Sequence, residues 1–307
     1  MGTRRSLLAT TQSGMVADLI RDRLGEEVEL VEITTDGDRS QHTNTPVTGQ
    51  SSTGIFVSAL RDALLAGEVD VAVHSLKDLP TYPHAGVALV ATPEREDPRD
   101  VVVARDGLTL GELPVGARVG TGSPRRVAQL AALGLGIELV GVRGNVDTRI
   151  GKVRDGELDA VVLARAGLAR IGRLEEVTET LDPLQVLPAP GQGALAVECR
   201  AEDELAGRLA ILDDPHTRAT VEAERALLAT LEGGCAAPIG TLAEVVEGED
   251  GDELWVRAVA LSPDGALSVR MSATGSLADA SGVGTRLAKE MLAEGAGTLA
   301  GEAGRDA

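Results

Sequence analysis

Aromatic side chains are almost missing from this 307-residue chain, which has only Phe56, Tyr82 and Trp255. Sites that stack exposed bases need more rings than that, so nucleic acid is not an expected partner. Cysteine is as scarce, with Cys199 and Cys235 alone. That scarcity argues against a disulfide framework and for a reducing compartment, the cytoplasm, with a Cys199–Cys235 bridge as the lesser alternative. No apolar run approaches the roughly 18 residues of a membrane span. The opening MGTRRSLLATTQSG lacks the apolar stretch of a secretory signal. His74 ends an apolar run and reads as a hydrogen-bonded core histidine, while His42, His84 and His216 are scattered, so no metal site is expected. Lysine is rare too: Lys77, Lys152 and Lys289 are the exceptions among 29 basic residues, the rest being arginine.

The net charge is −19, which repels nucleic acid and anionic membranes unless a local patch overrides the field. A hydrophobic content of 43% is ordinary for a chain with real cores. Short apolar runs at 28–34, 69–74, 87–91, 100–104, 117–120, 137–142 and 159–163 read as strands. Helical patterns at 12–24, 55–66, 124–133 and 146–155 alternate with them, which predicts α/β lobes with parallel sheets and crossover helices. The proline-broken stretches 94–100 and 188–193 read as two crossings: the chain leaves a first lobe, builds a second, and returns. A cleft between such lobes is a common small-molecule site. Beyond residue 213 a helix at 217–231, strands at 238–246, 254–261 and 266–273, and a helix near 282–294 predict a small α+β domain. No internal repeat is visible. Residues 40–53 are polar and aperiodic, as in a lid loop.

The segment Leu231 to Gly240 reads LEGGCAAPIG. Gly233 and Gly234 stop a helix, and Pro238 prevents its resumption. Cys235 is thereby set on an exposed turn, either as a stray surface thiol or as a nucleophile in use. Cys199, by contrast, falls in an apolar strand pattern.

Two strand-to-helix turns share a design. In Gly120-Thr121-Gly122-Ser123-Pro124-Arg125-Arg126, Ser123 is placed to cap a helix that Pro124 begins. Two arginines in a first helical turn oppose the macrodipole unless an anion joins them. In Arg143-Gly144-Asn145-Val146-Asp147-Thr148-Arg149, Asn145 is placed to cap the next helix between two arginines. Each turn alone reads as a solvated arginine pair. Together, at the ends of predicted parallel strands, they favour recognition of several carboxylates or phosphates. Arg4 and Arg5, ahead of a helix start near Gln12, form a candidate third site. His74-Ser75-Leu76-Lys77-Asp78-Leu79-Pro80 closes a buried strand. Read alone, Lys77 and Asp78 make a surface pair, or Asp78 caps a turn. In an arginine-lined cleft Asp78 gains another role, steadying a cation or passing a proton, worth about 10²–10⁴-fold in rate.

These residues resemble the porphobilinogen deaminase (hydroxymethylbilane synthase) family over nearly the whole chain. The motifs are Gly2-Thr3-Arg4-Arg5-Ser6 with Gln12, VAVHSLKDLP (71–80), EREDPRD (94–100), GTGSPRR (120–126), RGNVDTR (143–149), PAPGQGA (188–194) and LEGGCAAPIG (231–240). The resemblance implies an α/β fold of two periplasmic-binding-protein-like lobes, the first discontinuous (1–94 and 189–212) and the second at 98–187. A C-terminal α+β domain (215–307) with a three-stranded antiparallel sheet would carry the cysteine. It implies a monomeric cytoplasmic transferase of tetrapyrrole and heme biosynthesis. Four porphobilinogen molecules would be joined head to tail, with loss of ammonia, on a dipyrromethane cofactor bound covalently to Cys235. Each pyrrole carries an acetate and a propionate, which accounts for arginines lining a cleft in an acidic protein. By the same resemblance Asp78 is catalytic. Arg4, Ser6, Ser75, Lys77, Thr121, Ser123, Arg125, Arg126, Arg143, Arg149, Arg170 and, on the hinge, Gln192 bind cofactor and substrate.

Three departures stand out. Ser51-Ser52-Thr53-Gly54 replaces the family's Gly-Gly-Lys-Gly, which removes one basic contact. Arg165 stands at a position usually small or apolar. The chain also begins almost at the Gly-Thr-Arg motif, where a strand normally precedes it. The rival reading is a two-lobed binding protein for a small polyanion. It would carry an export signal and has no use for Cys235 or a third domain.

Overall fold

The computed structural model describes residues 1–33, 52–232, 238–248 and 251–299. Its strands are β1 (Gly2–Thr3), β2 (Val31–Glu32), β3 (Ala72–Ser75), β4 (Val87–Ala91), β5 (Asp100–Ala104), β6 (Arg118–Gly120), β7 (Glu138–Val140), β8 (Ala160–Ala164), β9 (Glu179–Thr180), β10 (Leu195–Arg200), β11 (Ile239–Gly248), β12 (Gly251–Leu261) and β13 (Ser268–Ser276). Its α-helices are α1 (Leu7–Leu24), α2 (Ser52–Leu65), α3 (Pro124–Ala132), α4 (Val146–Arg154), α5 (Arg165–Arg170), α6 (Leu205–Leu209), α7 (Pro215–Glu232) and α8 (Ala280–Ala293). The chain divides into two compact units, Met1–Glu96 with Gly193–Arg218, and Asp97–Gln192 with Ala219–Ala307. None of the described helices is long and apolar enough to cross a membrane.

The first unit holds a five-stranded sheet in the order β2-β1-β3-β10-β4. Alternation from Val71 into β3 sends Val71 and Val73 into a core with Val16, Ala17 and Ile20 of α1. Ala72 points the other way, into a core with Leu60 and Leu64 of α2. The period-two alternation of a strand buried on both faces accounts for this split. Leu60 and Leu64 are fully buried, and each contributes about 1.5–3 kcal/mol by burial.

The second unit holds a five-stranded sheet in the order β7-β6-β8-β5-β9 and a three-stranded antiparallel sheet, β11-β12-β13. The five-stranded sheets are not parallel throughout. β6 pairs β7 and β8 in parallel, but β5 runs antiparallel to β8 and β9. Likewise β1 pairs β2 and β3 in parallel, while β10 runs antiparallel to β3 and β4. In each sheet the reversed strand is the one the chain makes on entering that unit from the other, with no crossover helix to restore its direction. The two sheets therefore match strand for strand, a repeat of topology that the sequence does not display.

The three-stranded sheet buries Ala243, Leu254, Val256 and Ala258 against Ala223 and Leu227 of α7 and Val283 and Leu287 of α8. The two helices meet at Gly284, where an added Cβ would stand 2.0 Å from the Ala223 carbonyl oxygen. Leu242, Val259 and Leu261, on the opposite face, pack with Leu187 and with Ala128 of α3.

Helix α1 begins at Leu7, a turn and a half before the expected start near Gln12. Ser6 caps it, its hydroxyl accepting from the Ala9 N–H at 3.4 Å. The residues between, Ala9-Thr10-Thr11, carry little apolar period, but Thr10 bonds back to the Leu7 carbonyl at 2.9 Å and stays in the helix. The strand in the Gly-Thr-Arg motif is short but formed: Gly2 pairs Val31 on one side and Ala72 on the other. The expected lid at 40–53 lies outside the described residues, apart from Ser52 and Thr53, which open α2.

Candidate functional site: strand ends rich in arginine and a carboxylate turn

The turn from β6 to α3 is shaped by two glycines. A Cβ on Gly120 would stand 2.7 Å from Leu158 Cδ1, and one on Gly122 would stand 2.6 Å from the Val142 carbonyl oxygen. Only a bare backbone fits there. Ser123 caps α3, its hydroxyl accepting from the Arg126 N–H at 3.5 Å, and Pro124 occupies the first turn. Thr121 is buried, and its hydroxyl accepts from the Ser123 N–H at 3.3 Å.

The anion expected at this helix start is internal to the protein. Arg125 and Arg126 are both buried, and Asp100, at the start of β5, stands between them. Arg125 Nη2 lies 2.8 Å from Asp100 Oδ2, and Arg126 Nη2 donates to Oδ1 at 2.7 Å. Their other amino groups donate to main-chain carbonyls, Arg125 to Leu187 at 2.5 Å and Arg126 to Val162 at 3.0 Å. Gln192 donates to Asp100 Oδ1 at 2.8 Å and to the Pro98 carbonyl at 2.6 Å, so Gln192 joins this cluster. Burial alone would push the Asp100 carboxyl up, but the two guanidinium charges and the hydrogen bonds hold it far below the usual carboxylate range. Asp100 escaped the sequence reading because its partners sit in another motif. Its position in EREDPRD, as an acid opening an apolar strand, was the available signal.

One carboxylate against two guanidinium groups leaves a net positive charge. Arg149, on α4, adds another. Asn145 caps that helix, accepting from the Thr148 N–H and hydroxyl, each at 2.9 Å. Arg149 is half-buried and donates to the Gly144 carbonyl at 2.8 Å. Among the described residues it has no carboxylate partner. Burial, helped by the nearby Arg126 charge, lowers its pKa. A half-buried cation beside a second cation is electrostatically unsatisfied, and an anionic ligand would relieve it. Arg143 is exposed, and Arg170 is half-buried at the last position of α5. Arg165 opens α5, with its Nε 3.5 Å from Asp97 Oδ2, a carboxylate that Arg99 also grips at 2.6 Å.

In the first unit, β3 ends at Ser75 and runs into a 3₁₀ turn, Leu76–Asp78. Lys77 is exposed and Asp78 is half-buried. Arg4, Gln12, His74, Ser75 and Asp78 line one small cavity at this strand end, walled by Val57 and Leu60 of α2. Ser6, capping α1, lies two residues from Arg4. Gln12 is a member that the sequence reading left out of the site. It is buried, and its Nε2 donates to Ser75 Oγ at 3.0 Å. Within α1 it lies on the buried face with Ser13 and Val16.

Cys235 lies outside the described residues. Of the described residues on either side, Leu231, near the end of α7, and Ile239, opening β11, are buried in one core. Cys199 is a free, fully buried thiol on β10.

Residues 1–208 match the family described as porphobilinogen deaminase, dipyromethane cofactor binding domain, and residues 218–293 match its C-terminal domain. The chain is 59% identical over 312 residues to "Porphobilinogen deaminase 1" of Streptomyces coelicolor, covering 98% of this chain and 97% of that protein. It is 57% identical over 305 residues to "Porphobilinogen deaminase" of Nocardia farcinica, covering 97% and 87%. Among solved structures it is similar to the immunogenic lipoprotein A from Vibrio vulnificus, at 11% identity and a TM-score of 0.42, covering 69% of this chain and 92% of that one. The match to both family domains, at this identity over nearly the full length, places the chain in the porphobilinogen deaminase family.

Proposed function

We propose that this protein joins porphobilinogen units head to tail and releases the linear tetrapyrrole hydroxymethylbilane. The observation that carries the reading is the near full-length identity to porphobilinogen deaminases. Each addition breaks a C–N bond, releases ammonia, forms a C–C bond and frees a proton from the attacked carbon. A final hydrolysis consumes one water.

The residues present fit a covalent dipyrromethane, whose carboxylates suit the unsatisfied charge at Arg149 and the net positive Arg125–Arg126–Asp100 cluster. When bound, it supplies the primer on which the new chain is built. In this reading Cys235 attaches it, and Thr121, Ser123, Arg125, Arg126, Arg143 and Arg149 hold its acidic arms. Asp78 faces the reacting pyrrole, steadies the positive charge that develops as ammonia departs, and takes the released proton. Arg4, Ser6, Ser75 and Lys77 seat incoming carboxylates, Arg170 serves the later additions, and Gln192 contributes to cofactor and substrate binding. We also propose that the chain forms three domains, 1–94 with 189–212, 98–187 and 215–307, and that the protein is a cytoplasmic monomer without membrane or nucleic-acid partners.

The test is to supply purified protein with porphobilinogen and follow ammonia release together with the linear tetrapyrrole. A protein that binds porphobilinogen tightly but releases no ammonia would be a polyanion-binding protein instead.

A further inference from the structure

Beneath the Asp78 turn lies a set of buried charged groups that the reaction scheme leaves unused. Glu198, on β10, is 2% exposed. It accepts from Arg61 of α2 on both oxygens, at 2.6 Å and 3.0 Å, and Arg61 is itself 5% exposed. The Nε2 of His74 stands 3.2 Å from Glu198 Oε2. Register explains the meeting. Ala72 pairs Glu198 and His74 pairs Ala196, so Glu198 and His74 are diagonal neighbours on the sheet face that α2 covers. A bidentate arginine on a buried carboxylate fixes that carboxylate in place. The carboxylate in turn stands 3.2 Å from the imidazole Nε2, a buried nitrogen that has no other polar partner among the described residues.

The next residue, Ser75, points to the opposite face and bonds Gln12 of α1. The chain entering the Leu76–Asp78 turn is thus held from both sides of the sheet, by His74 toward α2 and by Ser75 toward α1. His74, Ser75, Gln12 and Asp78 line the same cavity. We infer that Glu198, oriented by Arg61, positions His74, and that His74 sets the placement of the Asp78 carboxylate toward the reacting pyrrole. The inference rests on the reading of Asp78 as the catalytic carboxylate. It makes His74 and Glu198 positioning residues rather than part of a passive core.

The experiment compares holoenzymes with porphobilinogen as the probe. Removing Glu198 alone would strand Arg61, so the variant is Arg61→Met with Glu198→Gln, which removes both charges together. Cofactor load is counted by intact mass, and kcat is expressed per loaded molecule. The expected result is a kcat about 10- to 100-fold lower with KM changed less than about threefold, the mark of a misplaced catalytic group. His74→Asn leaves the ion pair intact and carries the same expectation, so it decides the matter if the double variant does not fold. A merely structural network would lower the melting temperature and leave kcat per loaded molecule at the parent value, which overturns the inference. If the parent itself releases no ammonia from porphobilinogen, the proposed function fails. An active parent with equally active variants removes the positioning role alone.

Discussion

Arg126 Nη2 and Asp100 Oδ1 lie 2.7 Å apart in the interior of the second unit, joining a helix start to the first residue of a strand. The pair converts an unfavourable placement, a cation at a helix N-terminus, into a fixed cationic site. Asp100→Asn would leave two buried arginines without their counter-ion. The expected loss is about 3–5 kcal/mol of stability, read as a fall in the urea midpoint. An unchanged midpoint would mean that the arginines find solvent or other partners.

Glu198 sets an acid limit on the first unit. Burial alone would push its carboxyl up, but His74 and Arg61 outweigh that and hold it at about 2, against an ordinary value of 4.5. A depressed carboxyl stabilises the fold fully above its unfolded value, and that contribution is lost as pH falls through the folded value. Stability of the parent should therefore drop between pH 4.5 and pH 2. The Arg61→Met, Glu198→Gln variant should lose less over the same window. Parallel curves for the two proteins would remove Glu198 as a source of the acid sensitivity.

Asp78→Asn keeps the shape of the turn and removes the charge. The rate of ammonia release should fall by at least about 10²-fold. Stability should change by no more than about 0.5 kcal/mol, since the residue is half-buried outside the main cores. Near-parent turnover would return Asp78 to a turn-forming role.

Cofactor attachment separates the two cysteines. Protein made in cells that synthesise porphobilinogen should exceed its sequence mass by one dipyrromethane. Cys235→Ala should abolish the excess, and Cys199→Ala, a change in a fully buried core thiol, should keep it. An adduct that survives Cys235→Ala would place the attachment elsewhere.

The arginines should differ in when they are needed. Arg125→Leu and Arg126→Leu should yield mostly apo-protein, Arg143→Leu and Arg149→Leu should impair both primer assembly and elongation, and Arg170→Leu mainly elongation. Arg149 allows a sharper statement. Its cation is penalised by burial and by Arg126, so the Leu variant should be as stable as the parent apo-protein within about 0.5 kcal/mol yet carry fewer pyrroles. Intact masses after limiting substrate provide the count. Identical pyrrole distributions in every variant would leave Arg125 and Arg126 as structural partners of Asp100 and Arg143, Arg149 and Arg170 without a part in binding.

Local chemistry was legible in the chain alone. Ser123 with Pro124, and Asn145 with Thr148, act within a few residues of one another, so capping at both arginine turns could be read directly. The period of apolar residues marked most strands and helices for the same reason, and it placed Cys199 inside a strand. Tertiary structure alone decided which charges meet. Arg61 and Glu198 are 137 residues apart in sequence, and Asp100 reaches Arg126 across 26. No spacing rule relates such pairs, because the sheet order brings them together. Strand direction was equally hidden. The apolar run of β5 or β10 reads the same in either sense, and only its neighbours in the sheet make it antiparallel. The Gln12–Ser75 contact likewise joins residues 63 apart in sequence, through the packing of α1 against β3. The sequence therefore determined the reactive groups and their local frames. Their mutual placement came from long-range pairing, which depends on the packing of whole elements and not on neighbouring residues.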